Sequence, residues 1–175
     1  MSPQSSEQHT LDAPALDKLF AAAITYRDRA YAPYSKFRVG AALLGSDDQV
    51  YGGCNVENAS YGAGICAERT AITKAVSEGQ RKFLAVAVTS DIPSPAISPC
   101  GICRQFLREF LEPHVPIYFI SGTYSSTFHS SGYPDWLEDL TGEEAKKHVK
   151  MMTMEEVLPE SFGPDHLGLA VTDQK

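Results

Sequence analysis

Three cysteines and one glutamate carry the most chemistry in this chain. They stand in two short runs, Cys66-Ala67-Glu68 and Pro99-Cys100-Gly101-Ile102-Cys103. Three thiolates can hold Zn²⁺ tetrahedrally and leave a fourth position open, and that open position separates a catalytic zinc from a structural one. Glu68, two residues from a ligand, is then placed to move the protons of a water activated at that position. A Cys-x-x-Cys pair alone could equally be redox-active or half of a closed structural site, for which Cys54 would be the obvious fourth ligand. Cys54 reads better as a packing cysteine at a strand end. None of His9, His114, His129, His148 and His166 has ligand spacing to the cysteines.

Charge counting adds a requirement. Zn²⁺ with three thiolates is net anionic, which weakens its power to acidify water compared with neutral ligands. Arg69, directly after Glu68, is the candidate to offset this by donating to the ligand sulfurs, and Arg104 beside Cys103 is a weaker one.

The elements that must position these groups are legible in the periodicity. Leu16, Leu19, Phe20, Ala23 and Ile24 recur at helical spacing and predict a first helix ending between Ala30 and Pro33. Val39–Leu44 reads as a buried strand, Gly45-Ser46-Asp47-Asp48 as a turn, and Gln49–Gly53 as its hairpin partner. A loop, 55–65, precedes a helix over Cys66–Gly79, with Gly79 as its stop. Phe83–Ser90 is a buried strand, Gly101–Leu111 a helix ended by Pro113, and Val115–Ile120 a further strand. In this reading Cys66 and Cys100 each open a helix, where free N–H groups and the helix dipole favour a thiolate. The order β-β-α-β-α-β suggests an α/β sandwich with a mixed sheet.

The flanks are less regular. Met1–Thr10 reads as a disordered tail, and residues 11–170 as one domain. Ser121–Lys150 reads as a surface insertion with a short helix near Glu143–Val149; Met151-Met152-Thr153 would complete a last strand. Thr153-Met154-Glu155-Glu156 is a capping-box pattern opening a short helix that Pro159 ends.

Composition narrows the class. The net charge of −7 argues against a polynucleotide partner, because phosphate binding relies on Lys and Arg displacing counterions. No apolar run approaches the ~20 residues of a membrane helix. The polar start lacks the features of a secretory signal, so the expectation is a cytosolic chain with reduced thiols.

Five ordered motifs now make a family resemblance. Tyr34-Ser35-x-Phe37-x-Val39-Gly40-Ala41-Ala42, Cys54-Asn55-Val56-Glu57-Asn58-Ala59-Ser60-Tyr61, Cys66-Ala67-Glu68-Arg69-Thr70-Ala71, Ser98-Pro99-Cys100-Gly101-x-Cys103-Arg104-Gln105 and Leu158-Pro159-x-Ser161-Phe162-Gly163-Pro164 resemble the free-nucleoside cytidine deaminases. The resemblance covers Leu16 to Leu167 except Ser121–Lys150, where that family has a short hairpin. It implies a three-layer α/β/α sandwich with a mixed five-stranded sheet. It also implies one Zn²⁺ on Cys66, Cys100 and Cys103, Glu68 as the catalytic proton carrier, and a homotetramer whose sites are shared between subunits. Asn55 and Glu57 would bind ribose hydroxyls, Phe37 would pack on the pyrimidine, and Ala67 would join the substrate contacts. Tyr61 and Phe162 would sit at subunit interfaces near the ligand, Phe162 reaching into a neighbour's site.

The expected reaction is hydrolytic deamination of cytidine and 2′-deoxycytidine, in pyrimidine salvage. The competing readings are a relative acting on another aminopyrimidine such as blasticidin S, a polynucleotide-editing deaminase, and a structural zinc module without activity.

Overall fold

The computed structural model describes residues 11–124 and 135–169. The expected tail Met1–Thr10 and the middle of the 121–150 stretch lie outside the described residues. Helix α1 (Ala13–Arg27) opens on Asp12, whose carboxylate accepts from the Ala15 amide at 2.9 Å, with Pro14 in the first turn. Its buried face is the expected stripe Leu16, Leu19, Phe20, Ala23 and Ile24. The helix stops about a turn earlier than its apolar pattern suggests. The amides of Arg29 and Ala30 bond back three residues, to Tyr26 and Arg27, and tighten the chain out of the α conformation.

A five-stranded mixed sheet follows, in the order β2-β1-β3-β4-β5. Its strands are β1 (Val39–Gly45), β2 (Val50–Cys54), β3 (Phe83–Ser90), β4 (Pro116–Ile120) and β5 (Val149–Thr153). β1 runs antiparallel to both β2 and β3, β3 is parallel to β4, and β5 closes one edge antiparallel to β4. The interior strands are buried on both faces, so VGAALLG and FLAVAVTS read as continuous apolar runs and not as alternating ones.

Helices cover both faces. On one side α1 packs with Ala42, Leu44, Ala85, Ala87, Tyr118 and Ile120. On the other, α2 (Ala67–Ser77), α3 (Gly101–Arg108) and the single-turn α5 (Met154–Val157) pack on Ala41, Leu43, Val86, Val88, Ile117 and Phe119. This is the three-layer α/β/α arrangement. The approach is close at two glycines. A Cβ on Gly40 would stand 2.0 Å from the Ala23 carbonyl oxygen of α1, and one on Gly53 would stand 2.4 Å from the Ala71 amide nitrogen of α2.

The 121–150 stretch contributes to the core as well as to the surface. Tyr124, Leu137 and Val149 are buried against α1's face of the sheet, and β5 begins inside the stretch, at Val149. Its short helix α4 spans Glu143–His148. Thr153 caps α5 in a capping box with Glu156, as the sequence predicts. Among the described residues no helix is long and apolar enough to cross a membrane.

One topological fact assembles the site. Because β1 is antiparallel to both neighbours, β2 and β3 run in the same direction. The helices that follow them, α2 and α3, therefore start at the same end of the sheet.

Candidate active site

Cys66 is the N-cap residue of α2 and Cys100 the N-cap residue of α3, and Cys103 lies in the first turn of α3. Their Sγ atoms all lie within 4.8 Å of one another, with Cys66 and Cys100 4.0 Å apart. Sulfurs on a tetrahedral zinc with Zn–S near 2.3 Å stand about 3.8 Å apart, so the three thiols fit that ion. Cys54 is not part of the group; its thiol contacts the Arg29 carbonyl oxygen at 3.5 Å. Among the described residues the cluster offers three protein ligands, the donor set of a zinc with one position left for exchange.

The thiols are electrostatically unequal. The Cys66 thiol is brought down to about 5: hydrogen bonding from Cys103 favours its anion most, burial opposes this, and Arg69 and Cys100 reinforce it. Cys103 is pushed up by the same partnership and by burial. The surroundings thus favour an anion on Cys66. Arg69 meets that charge, with Nη2 3.8 Å from Cys66 Sγ and 3.5 Å from the Gly64 carbonyl oxygen. Its buried Nε has no hydrogen-bond partner. Arg104 turns away from the sulfurs. It donates to the Pro99 carbonyl (2.8 Å), the Val157 carbonyl (3.0 Å) and Ser98 Oγ (2.8 Å), and so braces the loop that delivers Cys100.

Glu68 is 4% exposed in the first turn of α2. Burial pushes its carboxyl above the usual range, and the charge on Cys66 adds to the effect. A carboxyl whose affinity for a proton is raised suits a proton carrier. Ala67, between ligand and glutamate, is wholly buried and packs in the core beneath the site.

A cavity of about 660 Å³ opens in front of Cys66. Its wall includes Asn55, Glu57, Tyr61, Arg69 and Ile102. Three of the six residues expected at a substrate, Asn55, Glu57 and Tyr61, are thus gathered with the ligand Cys66. Glu57 is held rigidly: Oε2 accepts from the Tyr34 amide (2.9 Å) and the Ser35 amide (3.2 Å), while Oε1 accepts from Ser35 Oγ. The Ser35 hydroxyl bond holds its carboxyl below the usual range. Asn55 is braced too. Its Oδ1 accepts from the Val39 amide at 2.8 Å and its Nδ2 donates to the Phe37 carbonyl at 2.9 Å, leaving one acceptor and one donor site unused by these bonds.

Phe37 and Phe162 are not on this wall. Phe37 is half-buried, with its amide on Ser35 Oγ. Phe162 is 59% exposed and stacks on His166, with ring centroids 5.5 Å apart. Tyr61 is 83% exposed, edge-on to Tyr34.

Sequence reasoning missed two contributors. Ser35 stands in a quoted motif, yet nothing in its type shows that it ties Glu57 to the Phe37 backbone. Ile102 gives no signal of lining a cavity.

Comparison with known proteins agrees with the geometry. The model of the cytidine and deoxycytidylate deaminase zinc-binding region matches residues 14–119. A cytidine deaminase of Sporosarcina psychrophila is 52% identical over 103 residues, covering 59% of this chain and 75% of that protein. One of Halalkalibacterium halodurans is 51% identical over 100 residues, covering 57% and 75% respectively. The crystal structure of cytidine deaminase from Burkholderia pseudomallei superposes with a TM-score of 0.65 at 37% identity, over 83% of this chain and 97% of that one. With the layered sheet, the three-thiol cluster and the buried glutamate, these matches make the chain a member of the zinc-dependent cytidine and deoxycytidylate deaminase family.

Proposed function

We propose that this chain is a cytidine deaminase that converts cytidine and 2′-deoxycytidine, with one water, to uridine and 2′-deoxyuridine plus ammonia. The observation that carries the reading is the convergence of three thiols with, among the described residues, no fourth protein ligand, a buried carboxyl beside them, and a cavity lined by Asn55 and Glu57. Zn²⁺ bound by Cys66, Cys100 and Cys103 supplies a Lewis acid that makes a water nucleophilic at neutral pH.

The chain's own residues do the rest. Glu68 takes a proton from the attacking water and hands it to the pyrimidine ring nitrogen; it then carries the water's second proton to the departing amine, so that ammonia leaves and no net proton is consumed. Burial raises this carboxyl above the usual range and so favours its taking up a proton. Arg69 draws charge from Cys66 and so restores acidity to the metal. The fixed Glu57 carboxylate accepts from a sugar hydroxyl, and Asn55 uses its remaining donor on the same group. The cavity suits one nucleoside. Arg69, the one cation on its wall among the described residues, already serves Cys66, which leaves little to hold a phosphate.

A homotetramer with shared sites, in the cytoplasm and in pyrimidine salvage, completes the proposal. The exposed Phe162 and Tyr61, both off the core, support a shared wall. The test is an ultraviolet assay of cytidine loss with metal content measured on the same sample. Expected are turnover and about one zinc per chain. Turnover of blasticidin S without turnover of cytidine would overturn the reading.

A further inference from the structure

Arg108 is a buried guanidinium with no task in the chemistry above. It lies at the last position of α3, the helix whose first turn holds Cys103, and its side chain is 5% exposed. Nε donates to Ser161 Oγ at 3.1 Å and Nη2 to the Asp165 carboxylate, while the buried Nη1 has no hydrogen-bond partner. One turn earlier on the same helix, Gln105 Nε2 donates to the Phe162 carbonyl at 3.0 Å. The guanidinium fills the place a Cβ would take on Gly163, which would stand 2.3 Å from its central carbon. Gly163 has φ −143°, a backbone any residue adopts, so its small size serves the fit and not the turn.

Only the guanidinium of this ion pair is buried, since Asp165 is 56% exposed, and a pair screened by solvent on one side contributes little to stability. What this one supplies is geometry. It grips both sides of Phe162, at Ser161 and at Asp165, from the helix that carries a metal ligand. We propose that Arg108 is a positioning residue, which holds the 161–165 segment against α3 and so fixes where the Phe162 ring meets a nucleoside. The proposal rests on Phe162 forming part of a nucleoside pocket, whichever chain's pocket that is.

Arg108→Met and Gly163→Ala attack the same contact from its two sides, the second by pushing the guanidinium out with Arg108 unchanged. Each is expected to keep wild-type zinc content and to raise KM for cytidine by about tenfold with kcat within about threefold, the signature of lost binding without lost chemistry. Added to Phe162→Ala, neither should worsen KM further, since both act through one ring. Independently of turnover, amide hydrogen exchange over 160–167 should accelerate by at least about tenfold while 67–77 is unchanged.

Multiplying effects in the double variants, or unchanged exchange over 160–167, overturns the positioning role. So does loss of zinc or of kcat with KM intact. If Arg108→Met does not fold, Gly163→Ala alone decides by the same readings. Should the wild-type protein neither turn over cytidine nor bind uridine, the deaminase reading fails, and the exchange measurement still decides whether Arg108 holds the segment.

Discussion

Glu68 and Arg69 are neighbours in sequence with opposite assignments, and burial separates them. Glu68 is enclosed and its carboxyl is raised, while Arg69 reaches the ligand sulfur. Glu68→Gln keeps the size and removes the proton carrier. Expected are an unchanged zinc content and a fall in kcat of at least about 10²-fold, the scale of general acid–base catalysis. Metal analysis and turnover on one sample check both halves, and an active variant would end the proton-carrier assignment. Away from the site, Asp91 receives Arg38 through Nε and Nη2 and through its backbone amide, and its carboxyl is held below the usual range by that pairing. A carboxyl depressed in the folded state stabilises the protein above its unfolded value near 3.9 and loses that contribution as pH falls through the folded value. Asp91→Asn should therefore cost about a few tenths of a kcal/mol at neutral pH, allowing for the solvent around both partners, and less at about pH 2. Urea titrations at the two pH values test the sign.

The elements show what can be read from a sequence and what cannot. The stripe of α1, the Gly45–Asp48 turn, the apolar runs of β1 and β3 and the Thr153 capping box are local patterns, and each reappears in the structure. Cys66 and Cys100 as helix-opening residues were legible for the same reason. Contacts between elements were not. That Gly53 lets α2 lie on β2, that Ser35 locks Glu57, and that α3 grips the 161–165 segment all depend on approaches the chain makes across long separations. The early stop of α1 was missed because three-residue back-bonds decide it and the apolar period does not. Gly53→Ala is the sharpest test at this scale. With the Ala71 backbone in the way and no flexible side chain to yield, α2 must move, and both Cys66 and Glu68 move with it. The expected result is a destabilisation of about 1–3 kcal/mol, the cost of overpacking, together with loss of zinc measured on the purified protein.

At the scale of the assembled molecule, Phe162 decides whether the site is private or shared. Chains carrying Glu68→Gln and chains carrying Phe162→Ala are each expected to be impaired alone. If Phe162 serves a neighbour, co-expressed mixtures regain activity, because a chain with intact Glu68 can borrow the ring from one that lacks the carboxylate. Mixtures no better than the sum of the two would assign the ring to its own chain. Removal of the metal acts on the whole fold. A zinc held by Cys66, Cys100 and Cys103 would join the start of α2 to the start of α3, so a chelator should lower the midpoint of thermal unfolding, and added zinc should restore it.

The sheet is also a partition. Cys66, Cys100, Cys103 and Glu68 belong to the helices on one face, whereas Tyr124 and Leu137 of the long connection between β4 and β5, with Val149 at the start of β5, pack against the other, beside α1. Tyr124 and Leu137 are thus separated from Cys66, Cys103 and Glu68 by a full layer of backbone, while the start of the connection meets the loop before Cys100 through the Gly122 amide on the Ile92 carbonyl at 2.7 Å. The division leaves one half of the molecule held by chemistry and the other by packing.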